Sequence, residues 1–216
     1  MLGSALRTAV SWRHRFAGTR RKTRVVTVGG REWIVLPGVF DPALFLTGAP
    51  LAEAMGAEVE AGQTWLDLGC GTGLGAVLAA LGGGRACATD IDPNACRNTG
   101  INAALHRVDV EVIEGDWLAP LSGRTFDRLV LNPPFFAGTP RGPADRAWRS
   151  PAPASRYADL LAQALRPRGA ALVVLSDVGL CPAIHASLCA EGFDPRPAAR
   201  RRWLGETLTV WRVTRP

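Results

Sequence analysis

The run Thr64-Trp65-Leu66-Asp67-Leu68-Gly69-Cys70-Gly71-Thr72-Gly73 decides the reading of this 216-residue chain. A strand-like segment, 64–68, passes straight into a loop with a glycine at every second position. In an open α/β sheet, ligands bind beyond the carboxyl ends of the strands. Glycine there lets backbone approach a ligand where a Cβ would clash. Outward from this run the pattern alternates. Strand-like runs fall at 64–68, 85–90, 109–113, 126–131, 170–176, 193–199 and 206–213, with helical stretches at 73–81, 93–104, 155–166 and 179–191. Such alternation implies a parallel sheet covered on both faces. The last two runs are joined by a connection too short for a parallel crossover, so one of them is expected to run antiparallel.

Upstream, Leu2, Leu6, Ala9, Val10 and Phe16 fall near helical spacing and predict a short helix over 2–17. Val25-Val26-Thr27-Val28, Gly29-Gly30 and Glu32-Trp33-Ile34-Val35 read as a β-hairpin, with a Gly-Gly pair suited to a two-residue turn. A helix is expected over 49–58. The fold class is therefore α/β: a Rossmann-like, mostly parallel seven-stranded sheet ending in an antiparallel hairpin, preceded by a small helix and a β-hairpin. The expected division is a basic N-terminal extension over 1–36 and a main domain over 37–216.

Composition narrows the class. A hydrophobic share of 47% is too high for disorder. No run approaches 18 apolar residues, which excludes a membrane-spanning helix, and Arg7 interrupts the stretch that could mimic a signal peptide. The 5 cysteines include no Cys-x-x-Cys pair and read as buried thiols in a reducing compartment, so a cytoplasmic location is expected. His14, His106 and His185 are scattered without partners at ligand spacing, so no metal site is expected. The net charge of +6 is unevenly spread. Residues 1–36 hold eight basic side chains against Glu32, whereas 37–216 hold 17 basic and 18 acidic ones. The basic arm, with Trp12, Phe16 and Trp33 interleaved, could attract nucleic acid or another acidic partner, or be a solvated segment.

Two cofactor readings follow from the glycine-rich loop. Gly71-x-Gly73-x-x-Ala76, with Asp90 at the next strand end, satisfies a dinucleotide fingerprint and keeps a nicotinamide-binding protein open. Asp67 sits inside the strand before the first glycine, where an acid suits a cationic ligand better than a pyrophosphate. Its other reading is a helix- or turn-capping carboxylate. The fourth strand, 126–131, ends in Asn132-Pro133-Pro134-Phe135. Consecutive prolines remove two backbone donors and fix φ, leaving a rigid segment. The Asn132 amide oxygen and the Pro133 carbonyl can together accept both protons of a planar –NH2 group, and Phe135 offers a flat face for stacking. Those acceptors would orient the nitrogen and begin to localise its lone pair.

At these residues a family resemblance emerges. Asp67-Leu68-Gly69-Cys70-Gly71-Thr72-Gly73 resembles motif I of the class I S-adenosylmethionine-dependent methyltransferases. The resemblance implies S-adenosyl-L-methionine as cofactor, with Asp67 toward its amino-acid part and Gly69, Cys70, Gly71 and Gly73 forming the loop around it. It further implies Asp90 on both ribose hydroxyls, Ile91 under the adenine, and Gly115-Asp116-Trp117 at the adenine amino group. Asn132-Pro133-Pro134-Phe135 resembles the catalytic motif of amino-methyltransferases acting on planar nitrogens, a group that includes nucleobase-modifying enzymes and HemK-like release-factor glutamine methyltransferases. Gly38-Val39-Phe40-Asp41-Pro42, with Thr47 and Leu51-Ala52-Glu53-Ala54, resembles the HemK-type segment that closes over the cofactor. Asp145-Arg146-Ala147-Trp148 resembles the segment after the catalytic loop. The resemblance spans 37–213. It implies methylation of a planar amide or amine nitrogen of a protein (glutamine-like) or small molecule. A nucleobase in rRNA, tRNA or DNA remains the alternative.

Overall fold

The computed structural model describes residues 22–203 and 205–215. The helix expected over 2–17, with Trp12 and Phe16, lies outside the described residues. The chain first forms a hairpin, β1 (Arg24–Val28) with β2 (Arg31–Val35), paired Val28↔Arg31 across Gly29 and Gly30, both at positive φ. Helix α1 (Gly48–Glu58) leads to β3 (Thr64–Leu68), α2 (Leu74–Leu81), β4 (Arg85–Asp90), α3 (Pro93–His106), β5 (Val110–Glu114) and β6 (Phe126–Leu131). Two short strands, β7 (Phe136–Ala137) and β8 (Arg149–Ser150), precede α4 (Ser155–Ala164), β9 (Leu165–Ser176), α5 (Cys181–Ala190), β10 (Asp194–Trp203) and β11 (Glu206–Thr214).

Seven strands make one sheet in the order β10-β11-β9-β6-β3-β4-β5. Pairing is parallel from β9 through β5, and β11 runs antiparallel to both β9 and β10. The expected Rossmann-like methyltransferase sheet with its terminal antiparallel hairpin is thus the observed one. Successive strands spread outward from β3 in one direction and from β6 in the other. The crevice at the carboxyl ends of β3 and β6 is therefore where a ligand is expected.

Two apolar layers cover the sheet. On one face α4 and α5 pack with Leu129, Val173 and Ile184. On the other, α1 and α2 share a cluster with Trp33, Val35, Met55 and Trp65. Trp33 is fully buried there, so the hairpin assigned to the N-terminal extension shares its core with the sheet. The unpaired edge of β2 is closed by two fully buried amides of α3. Asn98 accepts from Leu36 N–H and donates to the Ile34 carbonyl, both at 2.8 Å. Asn102 accepts from Ile34 N–H at 2.8 Å and donates to the Ile34 and Thr72 carbonyls at 2.9 and 2.8 Å. These side chains replace a neighbouring strand, which satisfies backbone groups that burial would otherwise penalise.

Most boundaries fall within two residues of expectation, and two regions depart further. The helix expected to reach 166 ends at Ala164 and the strand expected from 170 already begins at Leu165, because Pro167 disfavours a helical residue before it. Arg200-Arg201-Arg202-Trp203, which fall between the expected strands 193–199 and 206–213, belong to β10, with pairing continuing to Trp203↔Glu206. As an outer strand β10 keeps its arginines in solvent while its backbone pairs on one side.

Candidate active site

A cavity of about 440 Å³ opens at the carboxyl ends of β3, β4 and β6. Its floor is the glycine-rich loop after β3. The Gly69 and Cys70 amides both donate to the Thr89 carbonyl at 2.9 and 3.0 Å, and Gly73 N–H returns to the Cys70 carbonyl at 2.7 Å. Gly73 sits at φ +79°, and a Cβ there would lie 2.6 Å from Thr99 of α3. Only glycine lets loop and helix approach this closely.

Both predicted cofactor carboxylates face the cavity and already hold backbone groups. Asp67 is buried and its Oδ2 accepts from Ala76 N–H at 2.9 Å, so it caps the first turn of α2. Burial pushes its carboxyl up to about 7, opposed by that backbone hydrogen bond. Asp90 accepts from Gly71 N–H at 3.0 Å through Oδ2 and from Asp92 N–H at 2.9 Å through Oδ1. Burial raises its pKa as well. Ile91 is 43% exposed at the rim, and Asp116 is exposed beside it. Trp117 adopts φ +51° and packs edge-on against Tyr157 at 5.5 Å.

The acceptor side is built differently. Asn132, Pro133, Pro134 and Phe135 line the cavity directly after β6. The Asn132 Oδ1 is shut off from solvent and has no hydrogen-bond partner. Phe135 is largely buried in the core, and its carbonyl accepts from Leu180 N–H at 2.7 Å. The Phe135 carbonyl is therefore already engaged and is not among the acceptors open to the cavity. Gly179 permits the contact, since a Cβ there would lie 2.1 Å from the Phe135 oxygen.

A roof covers the cavity. Phe40, Phe45 and Trp148 meet with ring centroids 5.1, 4.9 and 4.2 Å apart, joining the segment before α1 to the segment after β7. Phe136 N–H donates to the Trp148 carbonyl and Gly138 N–H to the Ser150 carbonyl, both at 2.9 Å. Asp41 pairs with Arg24 and accepts from the Ala43 and Leu44 amides at 3.1 and 3.0 Å. The roof thus hangs from the hairpin at one end and from β8 at the other. Thr47 lines the cavity under it, buried, with its Oγ1 unpartnered.

The sequence-predicted residues Thr47, Asp67, Gly69, Cys70, Gly71, Asp90, Ile91, Asp116, Trp117 and Asn132 to Phe135 line this one cavity, and Gly73 stands between two further lining residues, Thr72 and Leu74. Ser176 and Asp177 do not line it. Ser176 Oγ donates to Glu206 at 2.6 Å, and Asp177 accepts from Thr207 N–H at 2.9 Å, tying β9 to β11. Asn98, Asn102, Thr99 and Gly179 were not legible as site supports, although Asn94, Asn98 and Asn102 recur at helical spacing.

The donor set tests the cofactor directly. A ligand that brings a positive charge to Asp67, diol hydroxyls to Asp90 and a hydrogen-bond donor to the orphaned Thr47 oxygen fits the cavity. S-adenosylmethionine has that chemistry, and a pyrophosphate beside Asp67 does not. Fold and site together define a class I methyltransferase, with S-adenosylmethionine as its cofactor. The family profile of the methyltransferase small domain matches residues 32–177, and the chain belongs to that family.

Relatives agree on the class and diverge on the acceptor. A release factor glutamine methyltransferase of Deinococcus radiodurans is 37% identical over 143 residues, covering 60% of this chain and 51% of its own. A ribosomal protein L11 methyltransferase of Thermus thermophilus is 32% identical over 182 residues, covering 80% and 65%. The chain spans about half the length of the release-factor relatives it matches. Among solved structures, the Thermus thermophilus 16S rRNA N2 G1207 methyltransferase, in complex with AdoMet and guanosine, superposes with a TM-score of 0.62 at 21% identity, covering 88% of this chain and 50% of that one. A Pyrococcus furiosus methyltransferase gives 0.64 at 14% identity, covering 99% and 100%. Both likenesses show the fold.

Proposed function

We propose that this protein transfers a methyl group from S-adenosylmethionine to a planar amide or amine nitrogen of a protein, of the glutamine side-chain type, or of a small molecule. The observation that carries the reading is the Asn132 oxygen: buried, unpartnered, and fixed at the cavity wall by Pro133-Pro134. A buried acceptor left unpaired costs about 1–3 kcal/mol, and a substrate –NH2 supplies the missing donor. S-adenosylmethionine, when bound, supplies the electrophilic methyl group. Asp67 would hold the cofactor's ammonium and Asp90 its ribose hydroxyls, with Ile91, Asp116 and Trp117 around the adenine. Asn132 and the Pro133 carbonyl would orient the acceptor nitrogen, so its lone pair faces the methyl carbon. No strong general base is required, because the nitrogen becomes acidic on methylation and loses its proton afterward.

The relatives named for release factor and L11 support a protein acceptor. A second reading, nucleobase methylation, is favoured by the exposed Arg146 at the cavity mouth and by exposed Arg200, Arg201 and Arg202 on β10. The test is radiolabelled methyl transfer into an extract separated into protein, nucleic-acid and small-molecule fractions. Label in protein or small molecules supports the first reading, and label in RNA or DNA the second. Label in none of them, with enzyme that binds the cofactor, overturns both.

A further inference from the structure

Charge around the cavity is divided. Toward β3, β4 and β5 its lining carries Asp67, Asp90, Asp92 and Asp116, whereas the acceptor side carries Arg146 and Arg149. Arg149 lies over the Phe136 ring at 5.7 Å and pairs with Asp145 at 3.5 Å. Arg146 is exposed and makes no ion pair among the described residues. The basic side continues along the same edge of the sheet. The Phe135 carbonyl accepts from Leu180, just after β9. Asp177 ties that segment to Thr207 of β11, and Thr207 pairs with Arg202 of β10. There Arg200, Arg201 and Arg202 are exposed, and no acid among the described residues pairs with them. Asp177 and Glu206, the acids on that edge, are engaged by Thr207 N–H and Ser176 Oγ instead.

We propose that Arg200, Arg201, Arg202 and Arg146 form a docking surface for the phosphate backbone of single-stranded RNA. A strand rises about 3.3 Å per residue, so Arg200 and Arg202 leave one face of β10 about 6.6 Å apart. That spacing suits successive phosphates of an extended chain, while carboxylates on a folded protein keep no such row. The arginine fork also meets a phosphate with two parallel hydrogen bonds. The track bends: it follows β10 and then turns across the sheet edge toward β6, three strand spacings or about 14 Å away. A flexible single strand can follow that turn, and a stiff duplex cannot. RNA is the nucleic acid that offers unpaired loops and ends for recognition. The surface grips the chain and not the acceptor group, so the inference holds whichever nitrogen is methylated.

The test is fluorescence anisotropy of a labelled oligouridylate with the full chain, repeated over a series of KCl concentrations. The parent should bind, with affinity falling as salt rises. Arg200→Ala/Arg201→Ala/Arg202→Ala should weaken binding at least tenfold and reduce the slope of log affinity against log salt by about 2, three phosphate contacts at roughly 0.7 each. Arg146→Ala should reduce it by about 0.7. Arg200→Lys/Arg201→Lys/Arg202→Lys keeps the charge and should keep the slope, and glutamine at the three positions serves should the alanine variant fold poorly. A parent that does not bind, a neutralised variant with the parent's slope, or a lysine variant as impaired as the alanine one each overturns the proposal. Tighter binding of duplex DNA than of the RNA overturns it too, as does tighter binding of polyglutamate, which would give the face to an acidic protein. Calorimetric affinity for S-adenosylmethionine should stay within twofold in the triple variants. A parent that binds RNA but no cofactor would sink the functional reading and leave the docking surface standing.

Discussion

On the β3–β4 side of the cavity the polar side chains already hold something. Asp67 caps α2 through Ala76, and Asp90 clamps the amides of Gly71 and Asp92. On the β6 side, Asn132 Oδ1 holds nothing, and the walls around it are prolines and an aromatic roof. The cofactor half is shaped by backbone hydrogen bonds that exist without ligand. The acceptor half is held by packing and leaves its key acceptor unsatisfied until a donor arrives. On the proposed reading, a site divided this way recognises its constant ligand with a preformed loop and reserves its unpaired oxygen for the reacting one.

The sharpest way to break this contrast is Asn132→Ala. Methyl transfer should fall about 10²- to 10³-fold, as for loss of a preorganised polar group at a reacting centre. S-adenosylmethionine affinity measured by calorimetry should stay within about threefold. Equal losses in both would erase the division between the halves. Next is Asn102→Ala, which strands Ile34 and Thr72 backbone groups. Stability should drop by about 3 kcal/mol, seen as a Tm lower by roughly 5–10 °C. An unchanged Tm would mean that the cofactor half does not lean on the hairpin.

Asp67→Asn keeps an oxygen for Ala76 but removes the charge, and should weaken cofactor binding about tenfold. It also carries a pH signature. Burial raises the Asp67 pKa from 3.8 to about 7, so the neutral form is the one the fold favours. Its contribution to stability is complete below the unfolded value and is lost as pH rises through the folded one. The unliganded Tm should therefore fall as pH is raised from about 4 to about 8, and Asp67→Asn should flatten that slope. A cation bound against Asp67 lowers its pKa again, so cofactor binding near pH 7 should release protons, measurable by calorimetry in buffers of different ionisation heat. The smallest effect is expected of Arg124→Ala. Its pair with Glu111 at 2.7 Å lies exposed and outside both halves, and should be worth less than about 0.5 kcal/mol by urea unfolding.

Much of this was legible in the chain. The strands at 64–68, 85–90 and 126–131 are found as read, because each carries buried apolar residues next to loop residues: Gly69 after the first, Gly84 before the second and Asn132-Pro133 after the third. The motif residues gather in one cavity for the same reason: each stands at a strand end, and strand ends of a parallel sheet share one edge. What stayed hidden depends on contacts between distant residues. Asn98 and Asn102 complete β2 across more than 60 positions, and nothing in their local pattern names that partner. The extent of β10 is set by pairing with β11, which overrides a sequence rich in Arg and Pro. Asp67 was read as a ligand to a cation, with helix capping as the lesser option, and the fold shows capping as one of its duties.

The amide brace on β2 also bears on the order of assembly. The hairpin is made early and is local, pairing within a dozen residues, yet the groups along its open edge wait for Asn102, 68 positions later. Formation of that contact demands closure of a long loop. The hairpin is therefore synthesised before α3 and locked only once α3 is in place. Until α3 docks, β2 offers a bare strand edge to any neighbouring chain.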